Sequence, residues 1–160
     1  MAVDMFMEID GIKGESQDKA HKGDIDVLAW SWGLANSGTF HTGGGGGAGK
    51  VDVQDLSFTK YVDKSSAELQ LACCNGKHLK KAKLIVRKAG EKPLEYIVIE
   101  LTECMVTAIS TGGSGGEDRL TENVTLNFSK VHFEYKIQDD KGAGKDGGQY
   151  TWDVAGNNKG

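Results

Sequence analysis

The sequence predicts a mainly β protein, an antiparallel barrel or sandwich with one short α-helix on its flank. Three observations predict it. Apolar residues recur at every second position in several separate runs, the pattern of strands with one covered face. Only residues 67–74 form a run of helix formers with a stop signal behind them. Strand-like and helix-like runs do not alternate, which excludes a parallel sheet with crossover helices. A single proline and 23 glycines supply many tight turns in a chain of 160 residues, long enough for one core, so one domain over residues 1–160 is expected.

In chain order, Val3, Met5, Met7 and Ile9 alternate with Asp4, Phe6, Glu8 and Asp10, a first strand with the former set facing the core. Residues 11–23 are polar and charged and read as a loop. A second strand, 25–34, places Leu28, Trp30, Trp32 and Leu34 on a bulky core face and Val27, Ala29, Ser31 and Gly33 on a small face. The small face lies against something close or lines a space that needs clearance. A glycine-dense loop follows, then a third strand over 51–62 whose phase shifts between Val53 and Leu56, predicting a bulge at Gln54 or Asp55. Asp63 and Ser65 are candidate N-caps, and Ser65 with Glu68 has capping-box spacing. Asn75 and Gly76 end the helix.

Residues 83–88 form a fourth strand, and 89–93 a turn. The long stretch 94–109 carries Ile97, Ile99, Leu101, Met105 and Ile109 in one phase and Tyr96, Val98, Cys104 and Val106 in the other. Such a strand is covered on both sides or broken by a bend. After a second glycine-rich loop, 111–118, residues 120–137 alternate again. Val124, Leu126 and Phe128 hold one phase, Val131, Phe133 and Tyr135 the other, so a bulge or bend is expected near Ser129. A charged, glycine-rich turn spans 139–148. Tyr150, Trp152 and Val154 mark a closing strand, and the chain from about 155 is expected to fray. Strands this long leave edges that must close or pair with a neighbour.

The net charge of −4 and scattered lysines argue against a nucleic-acid partner; the densest cluster, 77–83, reads as a solvated turn. The N-terminus has neither a basic segment nor an apolar run, so synthesis in the cytoplasm without a signal peptide is expected, and no stretch reaches membrane length. Three cysteines give no disulfide framework. Cys73, Cys74 and His78 lack a fourth ligand, so packed thiols are expected and no metal site. His21, His41, His78 and His132 stand in unrelated contexts, and no G-x-S-x-G or H-E-x-x-H pattern occurs, so no catalytic residue and no cofactor are assigned. A hydrophobic content of 38% is modest for a closed globule and suits a chain wet on both sides, like a pore wall.

The glycine-dense loop first suggests a nucleotide site, because Gly44, Gly49 and Lys50 fit the start of a P-loop. Position 51 is Val where a Mg²⁺-binding Ser or Thr belongs, and the loop feeds a strand rather than a helix. Two readings are left: a mobile loop, or a loop that orders only against another subunit.

The segments EIDGIKGES, IDVLAWSWG, HTGGGGGAGKVDVQDLSFTKYVDKSS and STGGSGGEDRLTENVTLNFSKV resemble the hemolysin-coregulated protein (Hcp) family of bacterial type VI secretion over residues 8–131. The resemblance implies a β-barrel flanked by a helix, like phage tail-tube proteins. It implies homo-hexameric rings that stack into a tube inside a contractile sheath, with a spike protein at the tip and small effectors in the lumen. It also implies export by the type VI system to the extracellular space or into target cells. No fused domain is expected after residue 139. On this reading the ring or tube contacts fall on Thr42, Gly43, Gly44, Gly45, Gly46, Gly47 and Lys50, and on Gly112, Gly113, Ser114, Glu117, Asp118 and Arg119. Ala29 and Ser31 are expected to face the lumen and cargo; for Ser31, burial between sheets fits the alternation equally well. The alternative function is a stand-alone β-barrel module that binds a ligand through its glycine-rich loop.

Overall fold

The structure, a computed structural model, describes residues 2–38, 40–41, 48–90, 93–138 and 144–160. Its elements are β1 (Val3–Ile9), β2 (Ile25–Ser31), β3 (Leu34–Gly38), β4 (Ala48–Val53), β5 (Leu56–Tyr61), α1 (Ser66–Asn75), β6 (Leu79–Lys88), β7 (Leu94–Thr111), β8 (Thr121–Gln138) and β9 (Gly144–Asp153). Pairing runs β5-β2-β1-β6-β7-β8 and returns to its start where β5 pairs with β8, so six antiparallel strands close a barrel. This is the expected fold class. The barrel uses the edges that its strands would otherwise expose. Only the first half of β8 takes part in closure; its second half pairs with β9, which extends the sheet beyond the barrel. The helix lies against β7, with Leu69 and Ala72 buried.

The core is filled by Met7, Ile9, Ile25, Val27, Leu56, Phe58, Leu84, Ile99, Leu101, Val124 and Leu126, among others. Three long strands change their buried face along one line. On β6 the buried positions step from Leu79 to Ala82, on β7 from Leu101 to Cys104, and on β8 from Phe128 to Val131. These positions are in register: Leu79 pairs with Cys104 and Cys104 with Phe128, while Ala82 pairs with Leu101 and Leu101 with Val131. The sheet therefore folds about a crease through Lys81, Thr102 and Lys130. Glu103, beside it, has φ +55°, the left-handed backbone such a bend requires. The expected bend near Ser129 is one third of this crease. β7 is continuous, and its two phases are two segments of one strand, not two covered faces.

Other expectations need correction. The run 25–34 is two strands. A bulge between Val27 and Ala29 resets its phase, so Val27 is buried while Leu28 and Leu34 are exposed; Trp30 and Trp32 still pack on the core. The run 51–62 breaks at Gln54 and Asp55, and its first part pairs with β3 as a separate two-stranded arm. The break is pinned: Gln54 N donates to Gly33 O (3.0 Å), and Trp32 Nε1 donates to Gln54 O (2.9 Å). The capping box is not formed, since Ser65 makes no side-chain cap; its N–H donates instead to Asp63 Oδ1 at 2.8 Å. Gly76 ends the helix in the left-handed conformation, as expected. Lys80, Lys81 and Lys83 belong to β6, not to a solvated turn, and residues 144–148 belong to β9. Phe6 is buried rather than outward-facing solvent-exposed surface, because residues 11–24 fold over it and stack His21 on its ring (centroids 4.4 Å apart). At the C-terminus Asp153 N donates to Asn158 O at 2.8 Å.

Candidate functional site: a hydroxyl-lined sheet face and its bordering loop

Strand alternation sends every second residue of the barrel wall outward, and the outward set differs sharply between two regions. Across β1, β6, β7 and β8 it is a column of ionisable side chains, Glu8, Lys83, Glu100 and His132, each opposite the next. Lys81 reaches Glu100 at 2.9 Å and, with Lys83 and His132 near, holds that carboxyl below its usual range.

Where residues 29–31, 57–59 and 123–125 lie side by side on β2, β5 and β8, the outward set is small and uncharged. Ala29 is opposite Thr59, and Thr59 opposite Asn123; Ser31 is opposite Ser57, and Ser57 opposite Thr125. Four of these side chains satisfy one another in two pairs. Thr59 Oγ1 donates to Asn123 Oδ1 at 2.6 Å, and the Ser57 and Thr125 hydroxyls lie 3.1 Å apart. At the end of the face Asp55 accepts from Thr107 Oγ1 (3.0 Å) and Asn127 Nδ2 (2.8 Å). Cross-strand hydroxyl and amide pairs of this kind fix rotamers and leave a smooth surface. Ser31 and Ala29 are exposed on it, so in this chain Ser31 is not enclosed between sheets.

The face runs into the second predicted contact region. Ser110, Thr111, Gly112, Gly113, Ser114, Glu117, Thr121 and Asn123 line one shallow concavity, and residues 111–120 are all exposed. Arg119 leaves this loop to stack its guanidinium on the Tyr61 ring, 3.6 Å from the centroid. A Cβ at Gly113 would run into Leu120, whereas Cβ atoms at Gly112, Gly115 or Gly116 would meet nothing within 4 Å. Of the first predicted contact region only Lys50 is among the described residues, on the β3–β4 arm. Lys50 is exposed on β4, and Asn36 Nδ2 donates to Gly49 O at 2.8 Å across the arm; Thr42, Gly43, Gly44, Gly45, Gly46 and Gly47 lie outside the described residues. Among the described residues no group of three or more His, Cys, Asp or Glu is placed to hold a metal ion, and no helix is long and apolar enough to cross a membrane.

Residues 6–135 match the family model described as the type VI secretion system effector, Hcp. The chain belongs to the Hcp family. It is 61% identical over 157 residues to Protein hcp1 of Pseudomonas aeruginosa, covering 96% of each chain. A solved type six secretion system protein superposes with a TM-score of 0.94 at 29% identity, covering 99% of this chain and 100% of that one. Hcp1 from Salmonella typhimurium superposes with a TM-score of 0.79 at 35% identity, covering 99% of each chain. Hcp membership places this barrel in the type VI secretion context.

Sequence reasoning singled out Ala29 and Ser31 but missed Ser57, Thr59, Asn123 and Thr125 beside them. Their signal was present as the polar phase of residues 57–61 and 121–127. What alternation lacks is the register that sets three strands side by side.

Proposed function

We propose that this Hcp-family chain is a tube subunit that acts by assembly rather than catalysis. Copies join head to tail into a closed hexameric ring, and rings stack into the inner tube that a contracting sheath expels behind a spike protein. The hydroxyl-lined face of β2, β5 and β8 forms the lumen wall, where small effectors ride. The observation that carries the reading is the pairing of a small, uncharged stretch of sheet face with a bordering loop in which three of the four glycines have no reason inside the chain. Gly112, Gly115 and Gly116 are free of close neighbours and have no left-handed φ, so close approach of a second backbone accounts for them. A ring needs such heterologous contacts, with different surfaces meeting and the rotation closing.

Light scattering after size exclusion, followed by negative-stain imaging, tests this. Six-fold rings with an open centre are expected; a monomer at every concentration rejects spontaneous assembly. Replacing Gly45, Gly46 and Gly47 by bulky residues is expected to impair rings and secretion, and unchanged hexamers would remove the arm from the interface. Ser31→Gln is expected to lower cargo retention in a pull-down while rings persist. Equal retention would take Ser31 off the cargo surface.

A further inference from the structure

The closure seam of the barrel carries a buried ion cluster that hydrophobic packing does not explain. Lys60 continues the inward phase of Leu56 and Phe58 on β5, and Glu122 begins the inward phase of Val124 and Leu126 on β8. The two residues are direct cross-strand partners, and their side chains are 0% exposed. All three ammonium protons of Lys60 have an acceptor: Glu122 Oε1, Asp63 Oδ1 at 3.0 Å and Ser66 Oγ at 3.3 Å. Ser66 Oγ in turn donates to Glu122 Oε1 at 2.6 Å and accepts from Asp63 N at 3.0 Å, tying the first turn of α1 to the seam. Glu122 Oε2 has no partner among the described groups. Burying such a cluster gives little net stability over apolar residues of the same volume, so its role is better sought in what it positions.

What it borders is the loop of residues 112–119. Among the described residues two attachments tie that loop to the barrel body: Arg119 on the Tyr61 ring and, at its C-terminal root, Leu120 O accepting from Val62 N at 2.9 Å. Tyr61 follows Lys60, Val62 follows Tyr61, and Leu120 precedes Glu122 by two residues. Both attachments therefore hang on the segments that the cluster clamps. We propose that Lys60 and Glu122 are positioning residues for assembly: the buried cluster fixes the two attachments of the 112–119 loop and so sets the geometry in which it meets the next subunit. This rests on the tube-subunit reading, because it takes the loop to be a subunit contact.

The decisive variant is Lys60→Met with Glu122→Met, which removes the cross-strand charge pair while keeping volume and leaves Asp63 held by the N–H of Ser65 at 2.8 Å. Far-UV circular dichroism and the melting temperature are expected to stay near wild type. Amide exchange at residues 112–120 is expected to speed up about tenfold, and the ring-to-monomer midpoint concentration to rise about tenfold, as a loss of about 1.4 kcal/mol in the contact would give. Ser66→Ala, which cuts one link without touching a charge, is expected to shift both readouts the same way by less, and it decides the matter if the double variant does not fold. Unchanged exchange in the folded variants overturns the proposal. Faster exchange with an unchanged ring midpoint overturns it too, since the loop's order would then be irrelevant to assembly. A wild-type chain that never leaves the monomer rejects the tube reading by a separate observation, and exchange alone then decides whether the cluster holds the loop.

Discussion

Arg87 is where a single residue organises its surroundings. Its guanidinium is nearly buried, pairs through both terminal nitrogens with Asp18 (3.0 and 2.5 Å), reaches Asp4 at 3.1 Å, and lies over the Phe6 ring that His21 covers from the loop. The fork geometry suits arginine and would be lost with lysine. The bond from Arg87 is the main cause that holds the Asp18 carboxyl down at about 2, against an ordinary 3.8. A carboxyl depressed in the fold stabilises it above about pH 4, and that contribution fades as pH falls from about 4 towards about 2. Burial raises Asp24 and Asp26 instead, so their protonation favours the fold and opposes this trend. Asp18→Asn is therefore expected to be less stable than wild type at pH 5, with the gap narrowing as pH falls through the Asp18 window. Urea unfolding at a series of pH values checks it, and a gap independent of pH would refute the assignment. The thiols give a second residue-level expectation. Burial pushes Cys104 up to about 12, whereas Cys74 is exposed. Iodoacetamide at neutral pH should label Cys74 in the native protein and reach Cys104 only on unfolding, by intact mass. Native labelling of Cys104 would mean that the crease opens readily.

Among the elements, the helix and the creased strands show what could be read in advance. Asn75 and Gly76 announced the end of α1, and the structure puts Gly76 at φ +64°, with only the Met105 methyl near a would-be Cβ, at 3.7 Å. Space is therefore no obstacle to Gly76→Ala, and its expected cost of about 1 kcal/mol comes from the left-handed backbone alone. Thermal unfolding checks this: a drop of a few degrees is expected, and no drop would show that the helix end relaxes. The bend near Ser129 was legible because apolar residues fall on both sides of the break in a single strand. Its counterpart in β7 was legible only as one of two alternatives, because Glu103 bends without glycine or proline, and the one at Lys81 was not legible, because it sits in a lysine-rich run. The start of β2 misled for a similar reason: a one-residue bulge exchanges Val27 and Leu28 between faces, and periodicity counted through it assigns both wrongly. Phe6 was misplaced because its cover comes from a loop, whose path periodicity does not report.

At the scale of the whole molecule, the short β5–β8 pairing decides whether this is one cooperative unit. Without it the strands form an open sheet with free edges at β5 and β9; with it, the order returns on itself and the core under α1 is enclosed. Leu56 and Leu126 face each other across that pairing, and both are fully buried. Truncating Leu126 to Ala removes core volume at the pairing that closes the barrel. A cost of about 2–5 kcal/mol is expected from the lost burial and the cavity. The more telling readout is cooperativity. Trp152 pairs with Val131 on the β8–β9 extension, and Trp30 lies on β2 beside the seam, so tryptophan fluorescence samples both sides of the molecule while circular dichroism samples the sheet. If closure couples the two sides, the Leu126→Ala transition moves to lower denaturant yet stays coincident by both probes. If the transitions separate, the creased sheet of β6, β7 and β8 is stable by itself. The barrel would then close as a late, independent step, and a subunit could open at its seam without unfolding.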